Sequence, residues 1–200
     1  MSNKVKFGIK NGYIAVRKET DGTVTYDTPI KLPGMKSISL EAQGELTKFY
    51  ADDIVYYTSS SNNGYEGDVE VAMIPDEIRK AILGEVEDEK KVLLENTNAA
   101  TVTFALLFEI EGDVKGTRFV FYNCTMTRPT VESETTEDTK EPGTETFTLS
   151  AAPEADGLVR AKTTADTDET TYNGWFTSVY KSTGAVEAAM AKASAKARTA

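Results

Sequence analysis

The chain has 200 residues, 40% of them hydrophobic, with 22 Lys and Arg against 32 Asp and Glu, a net charge of −10 at pH 7. It contains no histidine and a single cysteine, Cys124, which excludes Ser-His-Asp and Cys-His nucleophiles, His-ligated and Cys₄ zinc, iron–sulfur clusters and an internal disulfide. The acidic balance argues against wrapping nucleic acid, because such surfaces set Lys and Arg against phosphates, but not against a surface that DNA passes without sticking.

This length fits one domain, or one domain with arms. The lone cysteine fits a reducing compartment. No run of roughly 18 apolar residues is present, so no membrane span is expected, and residues 1–10 lack the apolar stretch of a signal peptide.

In chain order, residues 13–16 and 23–26 flank Asp21-Gly22 and read as a hairpin. Pro33-Gly34 marks a second turn. Ile38, Leu40 and Ala42 alternate with Ser37, Ser39 and Glu41, the pattern of a half-buried strand. Residues 49–61 are rich in aromatic and β-branched side chains and run into the polar stretch Ser59-Ser60-Ser61-Asn62-Asn63-Gly64. Val69, Val71 and Met73 then alternate with polar neighbours, so residues 46–73 read as a long hairpin with a wide polar tip. Pro75-Asp76-Glu77 opens a short helix over about 75–83, with Ile78, Ile82 and Leu83 on one face and Gly84 as its stop.

Residues 102–110 and 117–126 are the strongest strands. The first is almost wholly apolar, which predicts cover on both faces. The second sets Phe119, Phe121 and Asn123 on one face against Val120, Tyr122 and Cys124. Residues 132–145 hold Glu132, Glu134, Glu137, Asp138, Glu141 and Glu145 against Lys140, a solvated loop. Residues 146–151 and 158–162 read as a last pair of strands, and 172–180 as a short element that packs Trp175 and Phe176. From residue 185 onward the Ala- and Lys-rich composition favours helix, but the apolar face is thin, so this tail is expected to be mobile or to order only against a neighbour.

Few residues suggest chemistry. Ser178 and Lys181 match S-x-x-K, but the S-D-N and K-T-G elements of penicillin-recognising enzymes are missing. Asp52-Asp53, and Asp166, Asp168 and Glu169, read as solvated turns because no window supplies the Gly and Glu of a calcium loop. Asn123-Cys124-Thr125 fits a glycosylation acceptor but sits in a predicted strand. No catalytic residue, cofactor or metal is expected. Tyr50, Tyr56, Tyr57 and Tyr65 leave three readings open: a protein interface, packing within the chain, or ligand stacking.

One set of segments resembles the major tail proteins of long, non-contractile-tailed bacteriophages of Gram-positive hosts. It comprises Phe49-Tyr50-Ala51-Asp52-Asp53, Tyr56-Tyr57-Thr58, Asn62-Asn63-Gly64-Tyr65, Gly67-Asp68-Val69-Glu70, Ile74-Pro75-Asp76 and Leu83-Gly84. Residues 104–109, 121–125, Thr127-Arg128-Pro129, 156–159 and Trp175-Phe176 continue it, in order, across about 5–180. The resemblance implies a mainly β fold: a tail-tube β-sandwich or barrel with one short flanking helix and a long projecting hairpin. It implies a tail tube domain at 1–181 and an additional tail at 182–200. It also implies a structural virion protein, assembled in the host cytoplasm, whose six-subunit rings stack into a DNA-conducting tube. Its partners would be itself, with the tape-measure, tail-terminator and distal tail proteins. Phe49, Tyr50, Asp52, Asp53, Tyr56, Tyr57, Asn62, Asn63 and Tyr65 are the expected inter-subunit contacts. The alternative is a monomeric β-sandwich that binds a ligand or serves adhesion.

Overall fold

The computed structural model describes residues 3–133, 135 and 142–182. All but the first residue of the predicted tail, and Glu134, Glu137, Asp138 and Glu141 of the acidic segment, lie outside them. The strands are β1 (Lys6–Thr20), β2 (Thr23–Tyr26), β3 (Ile30–Leu32), β4 (Met35–Gln43), β5 (Leu46–Ala51), β6 (Ile54–Ser60) and β7 (Gly64–Val71). Helix α1 (Asp76–Ile78) follows and widens into a π-helical turn, Arg79–Leu83. Next come β8 (Val86–Glu87), β9 (Leu93–Leu94), β10 (Phe104–Gly112), β11 (Thr117–Met126), β12 (Glu145–Ala152), β13 (Arg160–Lys162) and α2 (Glu169–Gly174).

A nine-stranded sheet takes the order β2-β1-β10-β11-β12-β7-β4, with β3 added to β1 and β13 to β11. Every pairing is antiparallel. The sheet curls until β4 lies against β1, where Met35 packs on Gly12. This encloses a main core that takes Val69 and Val71 from β7, Phe147 and Leu149 from β12, and Phe104, Leu106 and Phe108 from β10. The alternate residues of β10, Ala105 and Leu107, enter a second core with Val120, Tyr122 and Trp175. The apolar run over 104–108 is therefore covered on both faces, as its composition requires. Each large side chain buried there contributes about 1.5–3 kcal/mol.

The helix forms where the sequence places it. Pro75 caps its start, acids fill its first turn, and Ile78, Ile82 and Leu83 are all buried. The Gly84 N–H reaches back to Arg79 O, closing a π turn, and Gly84 sits at φ 70°, a left-handed stop that glycine adopts freely.

The structure alters four expectations. The first hairpin does turn at Asp21-Gly22, but residues 17–20 pair with 23–26, while 12–14 pair with β3. The alternation in β11 breaks: Phe104 faces Cys124 and Leu106 faces Phe121, so a bulge inserts one residue and brings Phe121 and Cys124 into the same core. Strands β12 and β13 do not pair with each other. Both add to β11, at 123–126 and 119–121 respectively. Pro153 follows β12 and has no N–H to continue a ladder; the chain then turns through Gly157, whose N–H donates to Glu154 O at 2.8 Å.

The fourth change concerns the long hairpin. It exists, but its ribbon runs from Met35 to Val71 and its tip is Asp52-Asp53, not the polar run 59–64. Asp52 and Asp53 have φ of 52° and 61°. Asp tolerates this left-handed pair, which matches strand twist in a two-residue turn. Ser59 and Ser60 are strand residues opposite Thr47 and Leu46.

Candidate assembly surface

Half of the long ribbon lies in the sheet and half projects from it. Strand β4 pairs with β7, and β5 pairs with β6, as one two-stranded arm. Hydrogen bonds carry the ladder across the joint: Asn63 N donates to Gln43 O at 2.7 Å, and Ser61 N to Glu45 O at 3.0 Å. The Ser61 hydroxyl accepts from Glu45 N at 2.9 Å. Gly64 begins β7 where its backbone lies under Ala151; a Cβ there would sit 2.0 Å from Ala151 O. The arm is thus a continuation of the sheet rather than a loose loop.

Apart from Ala51, every residue of β5 and β6 is exposed. Opposed residues in an antiparallel pair share a face, which sorts the side chains. Phe49 opposes Tyr57 and Ala51 opposes Ile54 on one face. Leu46 opposes Ser60, Lys48 opposes Thr58 and Tyr50 opposes Val55 on the other. A bulge between Val55 and Tyr57 leaves Tyr56 as the extra residue. Phe49, Tyr50, Tyr56 and Tyr57 are 59%, 61%, 71% and 63% exposed. A two-stranded ribbon is marginal by itself in water, and contiguous exposed apolar surface marks an interaction site.

The predicted contact residues therefore separate. Phe49, Tyr50, Asp52, Asp53, Tyr56 and Tyr57 lie together on the arm. Asn62 and Asn63 are at the joint, where Asn62 Oδ1 accepts from Gly64 N at 3.2 Å. Tyr65 is half-buried in the body, edge-on to Phe121 at 5.3 Å between ring centroids. It packs within the chain, one of the three readings its neighbours left open.

A second surface went unnoticed in the sequence. The outer face of the β4–β7–β12 sheet is polar throughout. Three rows cross it: Ser39–Asp68–Thr148, Ser37–Glu70–Thr146 and Glu41–Glu66–Ser150. Acids run down the central strand with hydroxyls on most flanking positions. The Thr148 hydroxyl donates to Asp68 Oδ1 at 2.9 Å, and Ser37 to Glu70 Oε2 at 3.2 Å. Bonds from Lys36 and then from Thr144 hold the Glu70 carboxyl below the ordinary carboxylate range. Glu41 directly opposite Glu66 is a like-charge pair, which costs stability in the isolated fold. The signal was legible as acids at every second position, Glu66, Asp68 and Glu70, alternating with Gly67 and the core-facing Val69 and Val71.

The remaining motifs are occupied structurally. Asp168 caps α2, accepting from Thr171 N at 2.9 Å. Lys181 Nζ donates to Val24 O at 3.2 Å. Asn123 lies in β11 and donates to Pro153 O at 3.4 Å. Burial pushes the Cys124 thiol up to about 12. Among the described residues, no group of acids, Cys or His is arranged to hold a metal ion, and no helix is long and apolar enough to cross a membrane.

Comparison with known proteins bears on these surfaces. The model of a family described as phage tail tube protein matches residues 1–192. That match continues past 182, the boundary the sequence suggested. No curated protein matches the chain. Among solved structures, the chain is similar to the cryo-EM structure of the anti-feeding prophage cap (AFP tube terminating cap), with 10% identity and a TM-score of 0.42 over 80% of this chain and 94% of that one. A likeness that distant carries no argument about function.

Proposed function

Because the chain belongs to the phage tail tube protein family, a structural component of the virion tail that assembles with itself and with other tail proteins, we propose that it forms six-subunit rings stacked into the tube of a long, non-contractile tail. The exposed arm carries this reading. It offers apolar side chains that the chain's own fold does not cover, and a subunit that closes a ring and also repeats along an axis needs two distinct contacts.

The acidic outer face of β4, β7 and β12 fits the wall of the channel. Duplex DNA carries one charge per about 1.7 Å of axis, so a carboxylate lining repels it and leaves it free to move. The Glu41–Glu66 opposition is tolerable in a surface selected for repulsion rather than for stability. In this reading the tube is assembled in the bacterial host. It meets the tape-measure protein within, a terminator at one end and distal tail proteins at the other, and it conducts the genome on ejection.

Negative-stain microscopy of the purified chain tests the reading. Raising the concentration should convert small species into hollow rods of uniform width. A chain that stays monomeric at every concentration and salt tried would favour the monomeric binding module instead.

A further inference from the structure

Apart from the arm, the body leaves an apolar patch uncovered at each end of β10. Strand β1 begins beside the last residue of β10, where Lys6 opposes Gly112. Asn3 fastens this start to the β10–β11 turn, its side-chain oxygen accepting from Val114 N and Lys115 N. Val5, Phe7 and Val114 are 52%, 64% and 56% exposed there. At the other end, Val102 N donates to Ile82 O, so the chain leaving the π-helical turn emerges beside the start of β10. It forms the β8–β9 hairpin, and Glu95 bonds Arg128 just past the end of β11. Val86 opposes Leu94, and Asp88 N donates to Val92 O, so Val86, Val92 and Leu94 share one face. These three are 64%, 51% and 51% exposed. The strand between the two patches is about 27 Å long at about 3.4 Å per residue.

The two patches carry opposite charge. No acid precedes Glu19 in the sequence, and Lys4 and Lys6 border the first patch. Both are exposed, with no carboxylate in salt-bridge contact among the described residues. Residues 85–95 around the second patch hold Glu85, Glu87, Asp88, Glu89 and Glu95 against Lys90 and Lys91. Glu89 is exposed and equally without a cation among the described residues. We propose that the basic patch of one copy seats on the β8–β9 hairpin of the next copy along the tube axis. The inference rests on the tube reading and concerns a contact in which the arm takes no part. Like patches repel, which disfavours a face-to-face dimer, whereas unlike patches attract. Complementary surfaces at opposite ends of one chain join head to tail and leave an open patch at each end of the product, so the contact repeats. One chain carries both halves, which favours a second copy over an unrelated partner. Three apolar side chains on each side make a weak contact between free chains, and a ring presents that contact once per subunit so that the copies act together.

Cross-linking in the full chain tests the contact. Cys124 is buried and its thiol is held protonated, so introduced thiols react alone. Phe7→Cys and Leu94→Cys in one chain place a thiol on each patch, too far apart to bond within that chain. Tubes of this variant treated with diamide should give, on a non-reducing gel, a ladder of linked chains that extends beyond the dimer. Chains carrying only one of the two cysteines should give no species beyond the dimer. Tubes without a ladder overturn the contact and leave the tube reading intact. If the unsubstituted chain forms no tubes, the tube reading fails and takes this contact with it. Charge variants decide the matter where the cysteine pair itself blocks assembly. Lys4→Glu with Lys6→Glu should lower the amount of chain that sediments as rods at low salt by about 5-fold, with the melting temperature unchanged, and adding Glu89→Lys should restore part of it. Rods in undiminished amount from the Lys4→Glu, Lys6→Glu chain contradict the contact.

Discussion

Arg17 and Tyr26 converge on one buried carboxylate, Glu154, which ties β1 and β2 to the turn after β12. Arg17 Nε and Nη2 donate to it at 3.0 and 2.8 Å, and the Tyr26 hydroxyl at 2.5 Å. Burial raises the Glu154 pKa, but these donors more than offset it, so the carboxyl stays below its ordinary value. Removing one partner of such a pair strands the other charge. Glu154→Gln should therefore cost about 3 kcal/mol, or roughly 6–12 °C in melting temperature for a domain of this size. The sign with pH follows from a depressed folded pKa. The difference between the two proteins should hold down to about pH 4.5 and shrink as the pH falls further through the folded pKa; calorimetry from pH 7 to 3 measures it. A second residue-scale test concerns the arm tip. Asn-Gly suits a two-residue turn with both φ positive better than Asp52-Asp53 does. Asp52→Asn with Asp53→Gly should slow amide exchange in β5 and β6 of the unassembled chain by about 2–5-fold, the equivalent of a few tenths to 1 kcal/mol.

At the scale of elements, the arm and the body are separable. None of the β5 and β6 side chains belongs to either core, and Glu45 and Ser61 already bond each other across the joint. Deleting residues 46–60 and closing the gap with a short glycine turn should leave a folded body with its melting temperature within about 2 °C. Sedimentation of that variant should give monomer at concentrations where the full chain assembles. How much could be read beforehand differs between elements for physical reasons. The helix was legible because Ile78, Ile82 and Leu83 can share a face only in a helical turn. Strand β10 was legible because a run of five apolar residues fits a layer covered on both sides. That a long hairpin exists and that its aromatic residues cluster was equally plain, but the pairing of β5 with β6 was not. Its tip was not, because a pair of left-handed aspartates is a turn signal far weaker than a run of Ser, Asn and Gly. The β11 bulge left no local mark either, being imposed by packing against β10. The acidic face was present as a period of two, but only the pairing of β7 with β4 and β12 turns that period into a surface.

For the molecule as a whole, charge and shape work in opposite directions. A net charge of −10 per chain repels other copies, and salt screens that repulsion within about 10 Å at 0.1 M. Assembly through the apolar arm should accordingly speed up as salt rises from low to moderate strength, which light scattering records. The acidic face of β4, β7 and β12, proposed as the channel wall, gives a prediction in the assembled state. Glu66→Lys with Asp68→Lys should still yield tubes, and those tubes should retain short duplex DNA on sedimentation at low salt, whereas unsubstituted tubes should not. The decisive measurement is a cryo-EM reconstruction of rods formed by the full chain. It should show a hollow tube of stacked six-subunit rings, with Glu66, Asp68 and Glu70 facing the lumen and each arm covered by neighbours. Solid fibrils, or a tube with this acidic face on its exterior and the arms bare, would contradict the tail-tube reading.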